Sequence, residues 1–192
     1  MRCPTNYFGY RNLMISKNEL RCSMSKILRK LSPERHKIAE KLLLDHLAAD
    51  KDFLSAARVM LYYAMPSEVS TELVLARWSQ EKKFYLPTLV DGKIQVRPFE
   101  GKEKMRQGQF NIWEPITSPL EDLASLDYIL VPGVAFDYQG HRLGHGKAYY
   151  DCFLSQSSLQ QARYVGVAFS EQVLPQIPTE VHDVPLPDLI IV

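Results

Sequence analysis

Much is missing from this 192-residue sequence, and each absence removes a class of protein. Net charge is almost nil, with 23 Lys and Arg against 22 Asp and Glu. A general nucleic-acid binder needs a basic face, so none is expected here, and any anionic ligand must be met by a local cluster. Cysteine is scarce: Cys3, Cys22 and Cys152 form no CxxC and no metal-ligand spacing. An odd, scattered set points to reduced thiols in a cytosol-like compartment, and the expected location is cytoplasmic. No apolar run is long enough to cross a bilayer, so no membrane partner is expected. Residues 1–15 lack the apolar core of a secretory signal. They are acid-free with two arginines, which leaves a short organelle presequence open, but their amphipathic pattern is slight. The simpler reading is a disordered leader, with Met14 a natural beginning. Internal repeats and low-complexity linkers are also absent. With 46 % hydrophobic residues, the expectation is one domain over residues 16–192 with a single substantial core, acting as a monomer.

What is present alternates between strand and helix. Ser16 can cap a first helix, in which Leu20, Met24, Ile27 and Leu28 recur at helical spacing. Ser32-Pro33-Glu34 is a strong second start, with Ile38, Leu42, Leu43 and Leu47 as its buried stripe. Residues 58–65 (RVMLYYAM) read as a buried strand ending at Pro66, and Ser70 caps a helix over residues 71–80. Residues 83–89 and 93–99 flank Asp91-Gly92, a hairpin-type turn. Residues 127–131, 164–169 and 189–192 are further strands, 147–159 a helix, and 171–174 a short helical turn. In the segment 108–115, GQFNIWEP, Trp113 is read as a structural tryptophan packed near a site. The alternation implies an α/β fold: a mainly parallel, doubly wound sheet in three layers.

Residues 131–151, VPGVAFDYQGHRLGHGKAYYD, carry the chemistry. An apolar strand turns at Pro132-Gly133 and enters a glycine-punctuated basic segment with Arg142, His145 and Lys147, after which a helix is predicted. Glycines let backbone N–H groups approach a ligand, and a helix start adds unpaired donors and positive potential. The pattern is neither a Walker loop, since no Gly-Lys-Ser/Thr closes it, nor the dinucleotide fingerprint, since the glycine spacing is wrong. On residues alone, a phosphate loop and a solvated loop with a basic rim both remain open. The same holds elsewhere. Lys17 and Arg21, four apart, project from one helix face, as an ordinary solvated face also would. Glu68 follows a strand end, where open α/β sheets bind ligands, yet it also precedes a helix. Tyr63 fits core packing as well as a contact. His182-Asp183 in a proline-rich loop also suits a turn.

The whole stretch resembles the signature of the 5-formyltetrahydrofolate cyclo-ligase family. The matching positions are Pro132, Gly133, Ala135, Phe136, Asp137 and Gly140, then Arg142, Leu143, Gly144 and Gly146, then Tyr149, Tyr150 and Asp151. The family's usual third glycine is Ala148 here, a methyl group that narrows backbone approach. The resemblance extends from Lys17 onward. It implies a Rossmann-like architecture related to the phosphosugar-isomerase and CoA-transferase superfamily. It also implies ATP and Mg2+ as cofactors and a folate substrate, in mono- or polyglutamylated form. By resemblance, ATP is bound by Lys17, Asn18, Arg21, Arg142, Leu143, Gly144, His145, Gly146, Lys147, Ala148, Tyr149 and Tyr150, with Lys17 and Arg21 at its phosphates. Catalysis falls to Lys17, Arg21, Arg142 and Lys147. Folate contacts fall to Arg21, Tyr63, Glu68, His145 and Tyr149, a carboxylate at Glu68 suiting the paired donors of a pterin. Asp151 and Asp183 hold magnesium, which favours hard oxygen ligands and keeps waters. The implied reaction is cyclisation of 5-formyltetrahydrofolate to 5,10-methenyltetrahydrofolate with release of ADP and phosphate. The alternative is a folate- or nucleotide-binding protein on the same fold without turnover, which Ala148 keeps open. A third reading is an isomerase, which would need no ATP, or a CoA transferase, which would need a nucleophilic carboxylate and a CoA site that the sequence does not offer.

Overall fold

Side chains of the central strands alternate between two cores, so both faces of the sheet are buried. The computed structural model describes residues 15–108 and 112–192. Its strands in chain order are β1 (Arg58–Met60), β2 (Lys83–Val90), β3 (Lys93–Pro98), β4 (Met105–Gln107), β5 (Trp113–Pro115) and β6 (Tyr128–Val131), followed by β7 (Ala135–Asp137), β8 (Arg142–Leu143), β9 (Arg163–Ala168), β10 (Val173–Leu174) and β11 (Asp188–Ile191). The α-helices are α1 (Lys17–Leu28), α2 (Pro33–Ala49), α3 (Lys51–Ser55), α4 (Glu72–Trp78) and α5 (Tyr149–Leu154). Six strands form the main sheet in the order β11-β9-β6-β1-β2-β3, and every neighbouring pair is parallel except the β2–β3 hairpin.

Val59, Tyr128, Leu130, Val165 and Val167 point to one core, where Leu43 and Leu47 of α2, Phe53 of α3, and Val74 and Trp78 of α4 cover them. Phe53 meets Trp78 and Tyr128 edge-on, with ring centroids 4.9 and 5.5 Å away. Met60, Ile129, Val131 and Ala168 point to the other core, covered by Phe153 and Leu154 of α5 and by Leu159. Helices on both faces of a mainly parallel sheet make the three-layer α/β fold that the alternation implies. The expected hairpin turn is present as well. Asp91 (φ 49°) and Gly92 (φ 74°) are both left-handed, as a primed two-residue turn requires.

Helix α1 begins where expected. Ser16 accepts from the Glu19 backbone N–H, and the Glu19 carboxylate accepts from the Ser16 backbone N–H in return. Leu20 and Met24 pack on Val134, Ala135, Leu143 and Ile177, away from the main sheet. Two of those partners belong to a small sheet, β10-β7-β8, that the sequence did not announce. This packing carries the Lys17–Arg21 face to the segment that follows β8.

Several expectations need correcting. Ile27, Ile38 and Leu42 are exposed. Each helix buries one ridge at intervals of four, Leu20-Met24-Leu28 in α1 and Ala39-Leu43-Leu47 in α2. Ile38 and Leu42 lie one residue, about 100°, round the helix from that ridge. The first strand stops at Met60 instead of Met65: the Leu61 N–H still donates to the Tyr85 carbonyl, and the chain then leaves the sheet. The helix expected over 147–159 is only Tyr149–Leu154, followed by a 3-10 turn at Ser157–Leu159, because positive φ at Gly146 and Ala148 keeps the preceding residues non-helical. Trp113 is 45 % exposed, and its neighbour Glu114 faces inward instead. The expected leader lies, except for Ile15, outside the described residues, as do residues 109–111 of the segment 108–115.

Candidate functional site

Two clefts meet along one wall of the molecule. The polar cleft, of about 520 Å3, takes Lys17, Asn18 and Arg21 from α1. Arg142, Leu143, Gly144, Gly146 and Ala148 supply the opposite side, and the loop before β11 supplies Glu180, His182 and Asp183. Lys17 Nζ donates to Asp183 Oδ2 at 2.7 Å and lies 3.3 Å from Glu180 Oε2. Arg21 donates through Nε to the Gly144 carbonyl at 2.8 Å and through Nη1 to Asn18 Oδ1 at 2.7 Å. Gly146 is needed beneath it. With φ 95° the position is left-handed, and a Cβ there would stand 3.3 Å from Arg21 Cζ. Arg142 is buried and donates through Nη2 to Asp151 Oδ1 at 2.7 Å, an oxygen that also accepts from the Val184 N–H. Burial works to raise the Asp183 pKa. The Lys17 hydrogen bond, the Glu180 N–H and the charges of Lys17 and His182 outweigh it, and the carboxyl titrates below its ordinary range.

The exposed surface of the second cleft, of about 380 Å3, is mainly apolar, with Pro87, Leu89 and Ile94 on the hairpin and Met65 after β1, although polar side chains also line it. Glu68, buried, accepts from the Met65 N–H at 2.8 Å, and its Oε1 lies 3.6 Å from His145 Nε2. Glu114, also buried, accepts from the Leu89 N–H at 3.4 Å. Tyr63 donates to Glu72 at 3.0 Å. The Tyr150 hydroxyl is buried with no hydrogen-bond partner among the described residues. Burial drives its pKa far up, the charge of Glu68 adds to this, and Arg142, 5.5 Å from the ring, works against it. Arg142, Gly144, Ala148 and Asp151 line both clefts and form the wall between them.

The predicted site residues are therefore gathered at one place, but divided. Lys17, Asn18, Arg21, Leu143, Gly146 and Asp183 line the polar cleft. Tyr63, Glu68, His145, Lys147, Tyr149 and Tyr150 line the apolar one. Of these, Lys147 and Tyr150 were expected on the phosphate side only. The expected boost from a helix N-terminus is small, since α5 has six residues and its macrodipole is weak. Positive charge comes from side chains. Ala148 holds φ 51°, the left-handed conformation that a glycine would take without strain. The sequence reading missed Glu114, although Trp113-Glu114-Pro115 had drawn notice, because a lone carboxylate in a short strand does not announce its face. It also missed Glu180, whose only signal was its position two residues before His182.

The residues present suit a magnesium ion. Donor atoms of Glu180, His182 and Asp183 lie within 4.8 Å of one another, and Asp151 lines the same cleft. Carboxylate oxygens at an open polar cleft match a hard cation that keeps several waters in its shell. Among the described residues no helix is long and apolar enough to cross a membrane.

Comparison with known proteins agrees with this geometry. The sequence model of the 5-formyltetrahydrofolate cyclo-ligase family matches residues 14–192. The Haemophilus influenzae 5-formyltetrahydrofolate cyclo-ligase is 32 % identical over 181 residues, covering 91 % of this chain and 97 % of that protein. The mouse enzyme of the same name is 28 % identical over 188 residues, covering 91 % and 93 %. The solution structure of Aquifex aeolicus 5,10-methenyltetrahydrofolate synthetase superposes with a TM-score of 0.81 at 31 % identity, covering 91 % of this chain and 89 % of that one. A match over so much of the chain, with the signature residues brought together at the junction of two clefts, leaves one conclusion: the chain belongs to the 5-formyltetrahydrofolate cyclo-ligase family.

Proposed function

We propose that this chain cyclises 5-formyltetrahydrofolate to 5,10-methenyltetrahydrofolate in a reaction driven by ATP, with the triphosphate in the polar cleft and the folate in the apolar one. The observation that carries the reading is the common wall. Arg142, Gly144, Ala148 and Asp151 face both clefts, so a terminal phosphate in one and a formyl group in the other can meet beside Arg142.

A formamide oxygen is a poor leaving group. Attack of that oxygen on the γ-phosphate forms an O–P bond as the bond from that phosphorus to ADP breaks, and the formamide becomes the phosphate ester of an imidate. N10 then adds to the activated carbon, and phosphate departs as the ring closes and takes up the N10 proton. Such phosphoryl transfer asks for alignment and charge stabilisation, not for a protein nucleophile. Lys17, Arg21 and Arg142 hold phosphate oxygens. Glu68, with Glu114 across the same cleft, accepts hydrogen bonds from the pterin donors, and Pro87, Leu89 and Ile94 exclude water from the activated carbon. Tyr150 stays protonated, so its hydroxyl can hydrogen-bond a ligand but does not act as a base. Asp151 and Asp183 would hold a magnesium ion, which would supply neutralisation of phosphate charge.

The test is direct. Purified protein given ATP, magnesium and 5-formyltetrahydrofolate develops methenyl absorbance, with one ADP released per ring closed. If both ligands bind but no methenyl product and no folate-dependent ATP hydrolysis appear, the protein is a binder without turnover.

A further inference from the structure

The cations of the polar cleft are already occupied. Lys17 is held by Asp183 and Glu180, Arg142 by Asp151, and Arg21 by the Gly144 carbonyl and Asn18. The two closest ion pairs join a phosphate-binding cation to a magnesium-binding carboxylate. Both are shielded from water: side-chain exposure is 16 % and 11 % for Lys17–Asp183, and 3 % and 11 % for Arg142–Asp151.

We propose that Lys17 and Arg142 change partners on nucleotide binding, from carboxylate to phosphate, and that the divalent cation and the triphosphate therefore enter as a coupled pair. The inference rests on the placement of ATP proposed above. Arg142 Nε has no hydrogen-bond partner among the described residues, but a triphosphate arriving alone that engages the Lys17 ammonium and Arg142 Nη2 must draw them away from Asp183 and Asp151 and leave those carboxylates shielded and without their cations, which is costly. A divalent cation arriving alone must displace the Lys17 ammonium from Asp183 and Glu180, its two acceptors. Arriving together, each supplies the partner the other removes: the carboxylates take the metal, and the ammonium and guanidinium take phosphate oxygens. The coupling is reciprocal, so the triphosphate raises affinity for the metal by the same factor. Glu180 is more exposed than Asp183 at the side chain (56 % against 11 %) and contributes less to the pairing.

Calorimetric titration with a non-hydrolysable ATP analogue tests this, in EDTA and in excess magnesium chloride, for the wild type, Asp183→Asn and Glu180→Gln. The wild type should bind the analogue at least about tenfold more tightly with magnesium. That result alone would follow for many nucleotide sites. The discriminating result is a gain: Asp183→Asn, with Lys17 released, should bind the metal-free analogue about five- to tenfold more tightly than the wild type, while its response to magnesium shrinks by at least as much. Glu180→Gln should shift both in the same direction by a smaller factor. Thermal unfolding without ligand checks that the variants fold, and exposed Glu180 carries the test if Asp183→Asn does not. Wild-type affinity that is the same with and without magnesium overturns the exchange. So does metal-free binding by Asp183→Asn (or by Glu180→Gln in its place) that is no tighter than wild type. A wild type that fails to bind the analogue even with magnesium overturns the placement of ATP itself.

Discussion

The two clefts solve opposite electrostatic problems. In the polar cleft, charges of both signs are plentiful and are paired off against each other before any ligand arrives. In the apolar cleft, apart from Asp151 on the shared wall, the buried carboxylates Glu68 and Glu114 face a mainly apolar surface, each accepting from a single backbone N–H group. The first arrangement suits a ligand that brings its own countercharge. The second suits a neutral heterocycle whose N–H groups can satisfy a carboxylate that water does not reach. Arg142 belongs to both, being buried, bound to Asp151 and packed against Tyr150.

The comparison is broken most completely at that shared arginine. Arg142→Ala should abolish measurable turnover and, by leaving Asp151 without its partner, cost about 3–5 kcal/mol of stability. Chemical denaturation beside a turnover assay reads both. Next in size, Glu68→Gln should act on one cleft only, raising the folate KM by roughly ten- to a hundredfold and leaving the KM for ATP within about twofold. An equal rise in both would show that the clefts are not separate sites.

A smaller effect comes from an ion pair outside both clefts. The Arg35 hydrogen bond is the main reason Glu171 titrates near about 2 instead of 4.5; burial opposes it and the charge of Arg35 assists. A folded-state pKa below the unfolded one means stability that is present above about pH 4.5 and is lost as pH falls toward 2. The pair is partly exposed, so solvent screening reduces its worth. Glu171→Gln should therefore cost about 1 kcal/mol at neutral pH, and the stability curves of variant and wild type should converge by pH 2. The smallest expected effect lies on the common wall. Ala148→Gly removes left-handed strain of about 1 kcal/mol but frees the unfolded chain, for a net gain of a few tenths. A rise in Tm of about 1–2 °C with unchanged ligand affinities would fit, and a fall in Tm would show that the alanine methyl packs usefully.

The difference between the clefts also explains what could be read from sequence. Ser16 as a cap, Pro33 as a helix start and Asp91-Gly92 as a primed turn are local devices, and each sits where its chemistry requires. The signature loop was legible because its residues are contiguous. The β10-β7-β8 sheet was not, since strands of two or three residues leave no periodicity to detect. Glu114 stayed hidden because its burial depends on the hairpin opposite, not on its neighbours. That Lys147 and Tyr150 line the apolar side depends on how tightly the loop coils at Gly146 and Ala148, which charge and spacing do not encode.

One contact has a consequence for how the protein comes to be active. Lys17 and Asp183 are 166 positions apart, the widest separation of any side-chain hydrogen bond among the described residues, so the polar cleft cannot exist in a half-made molecule. Pairings so distant form late on a folding pathway, after local helices and hairpins have consolidated. Recovery of nucleotide binding during refolding should then lag behind recovery of helical signal, and competence to bind ATP would mark the moment when the two ends of the fold have found each other.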